Sequence, residues 1–501
     1  MFDIFAIIKT IRKHFSRRDV ILIIVLLFLY FLTRLINIAK FPIFTDEGIY
    51  IQWAKTAWHD ATWRFISLTD GRQPLQTWAT IPLLKLFPNN ALLAGRLFGV
   101  ATGLTSLIGI FVLIYYLFGK KAAYIGAFLY IFTPYFLFYD RLALMDSGVN
   151  TTFIWLLFFS IFLARTLRLD VAIIYGLVAG VSLLAKSTAQ LFVGLAVFAP
   201  VLIDNLKKII NYFILYAVVA FLAFVIYNVQ RLSPFLHFVA DKNYTFILTV
   251  PELLKNPFGS FQFNFYIIPY YILTESGYFL PIIGLFGWFL LLKNNRKLGI
   301  YLGLWLFIPY LVIAFIARVL YPRYIILFAS LSAIFLSYLL VEMEKKRKNI
   351  VLVGLILFLI SVAYFDYTTL FHYQNVPLPP IDRGQYIDGS SSGYGIREIV
   401  NYVRSQTASK PAIILTEGNF GMAGDVIGVF VRPGDKIFVK AFWPLALKDI
   451  QPYQSQLATN NIYVVTVYQE LLPAAWPVKL LRSYEKPGGK SVIRLYELTK
   501  E

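Results

Sequence analysis

An acidic pair, Asp46-Glu47, stands directly after the first long apolar segment of the chain. Carboxylates at a membrane surface are costly unless they are paired or hydrated, so they are functional candidates by default. Further ionisable residues follow near the ends of later apolar segments, and they mix carboxylates with cations. The whole set is Asp46, Glu47, Arg72, Arg141, Asp146, Lys186, Arg318 and Arg323.

This mixture of charges suits the transfer of a sugar from a lipid-linked phosphate to an acceptor oxygen. A carboxylate within hydrogen-bond reach can deprotonate or orient the acceptor. Arginine binds the anionic phosphate of the leaving group bidentately, and preorganised cations stabilise the charge that develops on it. The residue types therefore predict an enzyme whose site lies at one face of a membrane.

The composition places these residues in a polytopic α-helical membrane protein. Of the 501 residues, 58% are hydrophobic and only 15% are charged, whereas soluble domains are about 25% charged. The chain has no cysteine, which excludes disulfides and thiolate metal sites. The net charge of +19 is explained by basic cytoplasmic loops that contact membrane lipid, so no nucleic-acid partner is expected.

Apolar stretches long enough to cross the hydrocarbon core predict about eleven transmembrane helices. They lie near 20–39, 91–118, 122–139, 148–165, 171–188, 189–203, 209–229, 277–292, 298–317, 324–341 and 350–370. Lys and Arg cluster in every second loop, which predicts a cytoplasmic N-terminus and an outer C-terminus. The predicted location is the inner or plasma membrane, crossed many times.

The chain divides into a membrane part and a C-terminal α/β domain on the outer side. The predicted parts are an N-terminus over 1–19, with an amphipathic helix over 1–13; a membrane domain over 20–370, with outer segments 40–90 and 230–276; a linker over 371–394; and an extracytoplasmic domain over 395–501. In that last domain, alternating apolar residues predict strands at 412–417, 436–443 and 461–468. A closing hairpin is predicted around the turn Pro487-Gly488-Gly489.

Six short motifs in order make the chain resemble the C-type glycosyltransferases, in particular the protein O-mannosyltransferases and the aminoarabinose transferases that modify lipid A. Each motif is weak alone, but six in this order and topology are a specific signal. They are Asp46-Glu47, Arg72 to Trp78, Arg96, Arg141 to Asp146, Gly180 to Lys186, and Tyr321-Pro322-Arg323-Tyr324. The match covers roughly residues 20–345, and Gln73 stands where the family usually has proline.

The resemblance implies a role for each matching residue. Asp46 would be the catalytic carboxylate, assisted by Glu47, with Asp146 as a second acidic residue at the cavity. Four cations would bind the lipid-linked phosphate or line the donor pocket: Arg72, Arg141, Lys186 and Arg323. The implied donor is a polyprenyl-phosphate sugar, and the acceptor stays open between protein, lipid and glycan. No metal or other cofactor is expected, although the acidic pair leaves a divalent ion possible.

Structural roles compete with several of these assignments. Asp46 could cap the helix that follows it, Arg141 could pair with a neighbouring aspartate, and Lys186 could extend to the membrane interface. Arg96 fits a structural partner of an acidic residue as well as a donor contact.

For the whole protein, the main alternative is a transporter or flippase of lipid-linked sugars. Broken helices in two related halves would mark such a protein, and the sequence shows no such repeat. A binding or assembly protein and a polysaccharide polymerase or ligase also stay open.

Overall fold

A computed structural model describes residues 16–418, 420–469 and 471–500. The predicted amphipathic helix over 1–13 lies outside these residues. The described chain forms a large bundle of helices followed by a small domain with a five-stranded sheet. The predicted fold class, a helical membrane part with a C-terminal sheet domain, is confirmed in that form.

The helices that precede the C-terminal domain are numbered α1 to α18. Their bounds are α1 Arg17–Leu35, α2 Thr45–His59, α3 Leu75–Leu86, α4 Ala91–Phe118, α5 Lys120–Phe132, α6 Pro134–Tyr139, α7 Asp146–Thr166, α8 Leu169–Leu183, α9 Ala189–Leu195, α10 Leu206–Tyr227, α11 Phe238–Phe246, α12 Val250–Lys255, α13 Phe261–Ser276, α14 Phe279–Asn294, α15 Arg296–Ile316, α16 Leu327–Glu344, α17 Ile350–Phe371 and α18 Pro380–Arg383.

Fewer helices qualify as membrane spans than the sequence predicts. Within the described residues, six helices are long and apolar enough to cross a membrane, namely α4, α7, α10, α15, α16 and α17. A seventh span results if α13 and α14, which meet at a bend of 111°, are counted together. The prediction of about eleven spans is therefore not confirmed, and the side on which each terminus lies stays a prediction.

Breaks and charges within the apolar stretches explain the difference. The stretch 122–139 is divided into α5 and α6 at Pro134, which lacks the N–H that would continue the first helix. The stretch 171–203 is interrupted around Lys186, between α8 and α9. The first stretch lies in α1, whose ends carry Arg18 and Arg34.

The C-terminal domain contains helices α19 Ile396–Ser405, α20 Gly424–Phe430 and α21 Leu447–Ile450. Its strands are β1 Ala412–Glu417, β2 Ile437–Phe442, β3 Asn461–Thr466, β4 Val478–Glu485 and β5 Val492–Leu498, in the order β2-β1-β3-β5-β4. The central β1 is parallel to β2 and β3, whereas β5 is antiparallel to β3 and β4. Each predicted strand and the closing hairpin are present.

The C-terminal domain is packed tightly against α2, the helix that carries the acidic pair. Gly48 of α2 faces α20 so closely that a Cβ atom there would lie 2.5 Å from Val426 Cγ2 and 3.2 Å from Val426 Cα. Lys55 Nζ donates hydrogen bonds to the carbonyls of Gly428 at 2.7 Å and Val431 at 3.2 Å. Burial lowers the pKa of Lys55 to about 8. The domain therefore packs directly against α2 and shares an apolar core with it.

We predict that Gly48→Ala destabilises the protein by forcing α2 and α20 apart. Overpacking of this kind costs about 1–3 kcal/mol. Gly194→Ala in α9 is the matched control, because a Cβ atom at Gly194 meets nothing within 4 Å. Thermal unfolding in detergent should show a lower midpoint for Gly48→Ala than for Gly194→Ala, and equal midpoints would contradict the close packing.

Candidate active site

Glu47 fixes the first turn of α2 from the inside of the protein. It is fully buried, and Arg96 Nε and Nη2 each lie 2.9 Å from one of its carboxylate oxygens. The backbone N–H groups of Ala143 and Phe44 donate to the same carboxylate at 2.8 and 2.9 Å. A helix turns about 100° per residue, so the inward position of Glu47 directs its neighbour Asp46 elsewhere.

Asp46 instead faces a cavity of about 550 Å³. The cavity is lined by both polar and apolar side chains. The polar lining includes Asp46, Tyr50, Arg72, Asp146, Lys186, Lys242, Tyr321, Arg323 and Gln385. The apolar lining includes Leu191, Phe246, Ile247, Val312, Ile313, Ile316 and Leu320. A chamber lined by charged groups and by apolar groups suits a ligand with a polar head and an apolar tail.

Two arginines hold the Asp46 carboxylate. Arg72 Nη2 lies 3.4 Å from Oδ1, and Arg323 Nη2 lies 3.5 Å from Oδ2. Burial alone would raise the pKa of Asp46, but the guanidinium groups of Arg72 and Arg323 outweigh it and hold the pKa below its usual value. Asp46 is thus a carboxylate that carries its charge at neutral pH.

Arg323 links Asp46 to the second carboxylate of the cavity, Asp146. Its Nε atom lies 3.9 Å from Asp146 Oδ2, while Lys186 Nζ donates to Asp146 Oδ1 at 2.7 Å. Lys186 also lies over the ring of Tyr324, with its Nζ 4.5 Å from the ring centroid. Lys186 is therefore held at the cavity by Asp146 and Tyr324, rather than extended toward lipid.

Arg72 is positioned by a polar group on each side. Its Nη1 atom donates to Tyr50 Oη at 2.9 Å, and its Nε atom donates to Asp70 Oδ2 at 3.0 Å. Lys242 of α11 donates to the other oxygen of Asp70 at 2.7 Å. Sequence reasoning did not assign Tyr50, Asp70 or Lys242 to the site. Tyr50 stands one helical turn after Asp46, a spacing that could have shown it.

The break between α8 and α9 is held in place by the loop that precedes α3. Gln73 Nε2 donates to Ser187 Oγ at 2.7 Å, and the Leu75 N–H donates to the Leu184 carbonyl at 3.1 Å. Proline at position 73 could not make the first contact, so the departure from the family pattern has a structural reason. These contacts bring Lys186 and Arg72 to the same cavity.

The structure does not bring three of the candidate residues, Glu47, Arg141 and Arg318, to the cavity. Arg318 is exposed, and its Nη2 atom lies 2.7 Å from Glu252 Oε2. Glu47 is enclosed by its four donors, so it supports Asp46 from behind and cannot meet a substrate. Arg141 is 4% exposed, and its Nη1 donates to the carbonyls of Thr33 at 2.7 Å and Arg34 at 3.2 Å. It therefore ties the turn before α7 to the end of α1, away from the pocket that it was predicted to line.

Further buried ionisable groups lie behind the site. Arg34 Nη2 lies 3.1 Å from Asp140 Oδ2, and Ser147 Oγ donates to the other oxygen of Asp140 at 2.6 Å. Asp382 adjoins Glu275 and accepts a hydrogen bond from Tyr139, and burial raises the pKa of Asp382 to about 6. Within the described chain, no three His, Cys, Asp or Glu side chains form a group that could hold a metal ion.

Known proteins resemble this chain in sequence and in fold. A family model described as dolichyl-phosphate-mannose-protein mannosyltransferase matches residues 72–230. A search of curated protein sequences gives no match. The family model and the solved structures given below confirm the predicted resemblance to the C-type glycosyltransferases, and the solved structures share the fold of this chain.

The solved structures cover most of the chain. ArnT from Cupriavidus metallidurans bound to undecaprenyl phosphate has a TM-score of 0.65 at 12% identity, over 95% of this chain and 97% of that chain. Its apo state has a TM-score of 0.61 at 13% identity, with the same coverage. The oligosaccharyltransferase of Archaeoglobus fulgidus, in complex with Zn and sulfate, has a TM-score of 0.54 at 12% identity, over 89% of this chain and 68% of that chain.

We predict that Arg96 and Asp46 differ sharply in what they contribute to stability. Arg96→Met leaves the buried Glu47 carboxylate without its cation, which costs about 3–5 kcal/mol. Asp46→Asn removes a carboxylate that is 18% exposed and lines a cavity, so its unfolding midpoint should stay close to that of the wild type. Thermal unfolding in detergent checks this, and a midpoint for Arg96→Met equal to that for Asp46→Asn would contradict it.

Proposed function

We propose that the protein is a membrane glycosyltransferase that moves a sugar from a polyprenyl-phosphate donor to an acceptor on the outer side of the membrane. The observation that carries the proposal is the meeting of Asp46, Asp146, Arg72, Lys186 and Arg323 in one cavity that is also lined by apolar side chains. The shared fold with ArnT, one structure of which holds undecaprenyl phosphate, supports a lipid-phosphate donor.

The charge balance of the cavity fits an anionic phosphodiester. Four cations, Arg72, Lys186, Lys242 and Arg323, line the cavity with two carboxylates, Asp46 and Asp146. A third carboxylate, Asp70, pairs with both Arg72 and Lys242, so the whole group carries one net positive charge. A polyprenyl-phosphate sugar brings one negative charge to the same place. Its phosphate would lie among the cations, and its prenyl chain would follow the apolar side chains toward the membrane.

The proposed reaction is a single displacement at the anomeric carbon. The acceptor oxygen forms a bond to that carbon on the face opposite the phosphate, and the bond between the carbon and the phosphate oxygen breaks. The electron pair leaves with polyprenyl phosphate, and the acceptor proton passes to the Asp46 carboxylate. The anomeric configuration is inverted, and the cations stabilise the charge on the departing phosphate.

The donor itself would prepare Asp46 for this step. Before binding, Arg72 and Arg323 hold the Asp46 pKa low, which makes the carboxylate a weak base. A phosphate between these arginines neutralises part of their charge, so the pKa of Asp46 rises and its oxygens become available to the acceptor. Proton removal is thereby favoured only when a donor is present.

We predict that Asp46→Asn abolishes most sugar transfer. Loss of a positioned carboxylate base typically lowers the rate about 10²–10⁴-fold. Purified protein in nanodiscs is incubated with a panel of labelled hexosyl and pentosyl polyprenyl phosphates and with protein, lipid and glycan acceptors. Asp60→Asn is the matched control, since Asp60 is exposed and only caps a short helix, a role that asparagine also fills.

The assay also separates the competing functions. Transfer from one donor by the wild type and by Asp60→Asn, but not by Asp46→Asn, supports the proposal and identifies the sugar. Equal transfer by Asp46→Asn removes that residue from the chemistry. If no donor is consumed and the labelled lipid instead crosses a liposome bilayer, the protein is a flippase.

We predict that Arg72→Gln moves the acid limb of the kcat/KM profile to higher pH. Activity needs the Asp46 carboxylate, and the charge of Arg72 is one cause of its low pKa. Without that charge the pKa rises, so protonation removes the active form at a pH where the wild type still works. Lys207→Gln, on an exposed lysine at the start of α10, should keep the wild-type limb, and a limb that stays in place in Arg72→Gln refutes the coupling.

A further inference from the structure

A line of aromatic rings leads out of the cavity and onto the C-terminal domain. It begins at Tyr50, which lines the cavity and lies 5.5 Å from the ring of Trp53. Trp53 in turn lies 6.3 Å from the ring of Phe420, a residue of the C-terminal domain that is 52% exposed. The rings of Tyr50 and Trp53 are buried, so they connect the wall of the cavity to the exposed ring of Phe420 through the protein interior.

Two more exposed rings lie beyond Phe420. Trp443 is 68% exposed and Tyr468 is 49% exposed, and their ring centroids are 5.8 Å apart with the planes nearly perpendicular. Gly418 lies between Phe420 and Trp443, since a Cβ atom there would approach the Trp443 ring at 3.7 Å and the Phe420 carbonyl at 3.8 Å. We call the set Tyr50, Trp53, Phe420, Trp443 and Tyr468 the aromatic track.

The outer part of the aromatic track occupies the carboxyl edge of the parallel strands. Trp443 directly follows β2, Gly418 follows β1, and Tyr468 stands two residues after β3. In open α/β sheets, ligands bind outside the carboxyl ends of the strands. The exposed rings therefore lie where ligands usually bind in this type of sheet. This argument does not depend on their contact with the cavity.

Hydrogen bonds to a buried carboxylate hold the loop that presents Tyr468. Glu417, at the end of β1, is buried, and its carboxylate accepts hydrogen bonds from the N–H groups of Val467 at 2.9 Å and Tyr468 at 2.7 Å. Gly418 and Gly421 have φ of +90° and +85°, a conformation that glycine adopts without strain. The segment that presents Tyr468 is thus fixed by the Glu417 carboxylate, so little of its order is lost on binding.

We infer that the exposed rings of the aromatic track, Phe420, Trp443 and Tyr468, bind a saccharide acceptor beside the cavity that contains Asp46; this inference rests on the proposed function. The exposed rings carry no charge, so they do not match an anionic head group. Trp443 and Tyr468 each offer an apolar face with an N–H or O–H at its rim. A sugar ring offers the complementary pattern, a face of C–H groups bordered by hydroxyls. The inner end of the track is Tyr50, which lines the same cavity as Asp46, the carboxylate that would receive the acceptor proton.

The test uses the full chain in nanodiscs and the glycan fraction of the source cell envelope, freed of lipid and protein. Trp443→Ala and Tyr468→Ala each remove one ring of the track. Phe438→Ala is the matched control, because Phe438 is 57% exposed on the same domain but lies near the amino end of β2. We expect a rise of about ten-fold in the acceptor KM for the two track variants, with kcat and the donor KM unchanged.

A second readout does not depend on turnover. Binding of the same glycan fraction is measured without donor, in the Asp46→Asn background, by saturation-transfer NMR. Binding that is retained in Phe438→Ala and lost in Trp443→Ala supports the track even if no sugar transfer is found. Conversely, transfer to an acceptor that survives periodate oxidation, with the same KM in Trp443→Ala and Phe438→Ala, overturns the track and leaves the transferase standing.

The membrane surface is the other occupant that exposed Trp and Tyr residues suit. Nanodiscs that contain brominated lipid distinguish the two, because bromine quenches tryptophan fluorescence at short range. Quenching that disappears in Trp443→Phe would place this ring in the lipid and overturn the inference. Equal quenching in the wild type and in Trp443→Phe agrees with a ring that faces solvent and glycan.

Discussion

The buried ion pair between Glu47 and Arg96 is the constraint on which the site depends. A charge pair without solvent is stable only when every oxygen and N–H finds a partner, and here the pair is completed by backbone groups. Arg96 donates to the carbonyls of Ile38, Phe41 and Pro42 at 2.5, 3.0 and 2.9 Å, while Glu47 accepts from two backbone N–H groups. The chain between α1 and α2 is thereby fastened to α4, and Asp46 can face only the cavity.

The remaining charges of the cavity are organised around that fixed carboxylate. Arg323 lies between Asp46 and Asp146, so the two carboxylates do not meet without a cation between them. Arg72 and Lys186 complete the balance from the loop before α3 and from the break between α8 and α9. Each cation already has a carboxylate partner, so an incoming phosphate would exchange one anionic partner for another. This exchange is less costly than the desolvation of a free arginine or lysine.

The sequence allowed much of this site to be predicted, because its charged residues stand at the ends of apolar segments in a recognisable order. Asp46, Arg72, Asp146, Lys186 and Arg323 all line the cavity, as the order of the motifs implied. Arg141 stands in an equally good motif but turns toward the carbonyls at the end of α1, and no spacing rule gives the direction of a side chain in a turn. Tyr50 and Lys242 were missed because their roles depend on contact with Arg72 and Asp70, which are distant in sequence.

The predicted number of membrane spans was not confirmed, because it too depended on local structure that the sequence pattern does not show. Hydropathy measures how apolar a stretch is, whereas a span also needs an unbroken helix, and the breaks at Pro134 and Lys186 come from local chemistry. The break at Lys186 brings this cation to Asp146. The same feature therefore lowers the number of spans and forms part of the site.

The C-terminal domain was also predictable only in part. Its strands were readable from alternation, but its packing of Val426 against Gly48 was not. That contact makes α2 a shared element of both parts, so a ligand held on the domain would be held at a fixed position relative to Asp46.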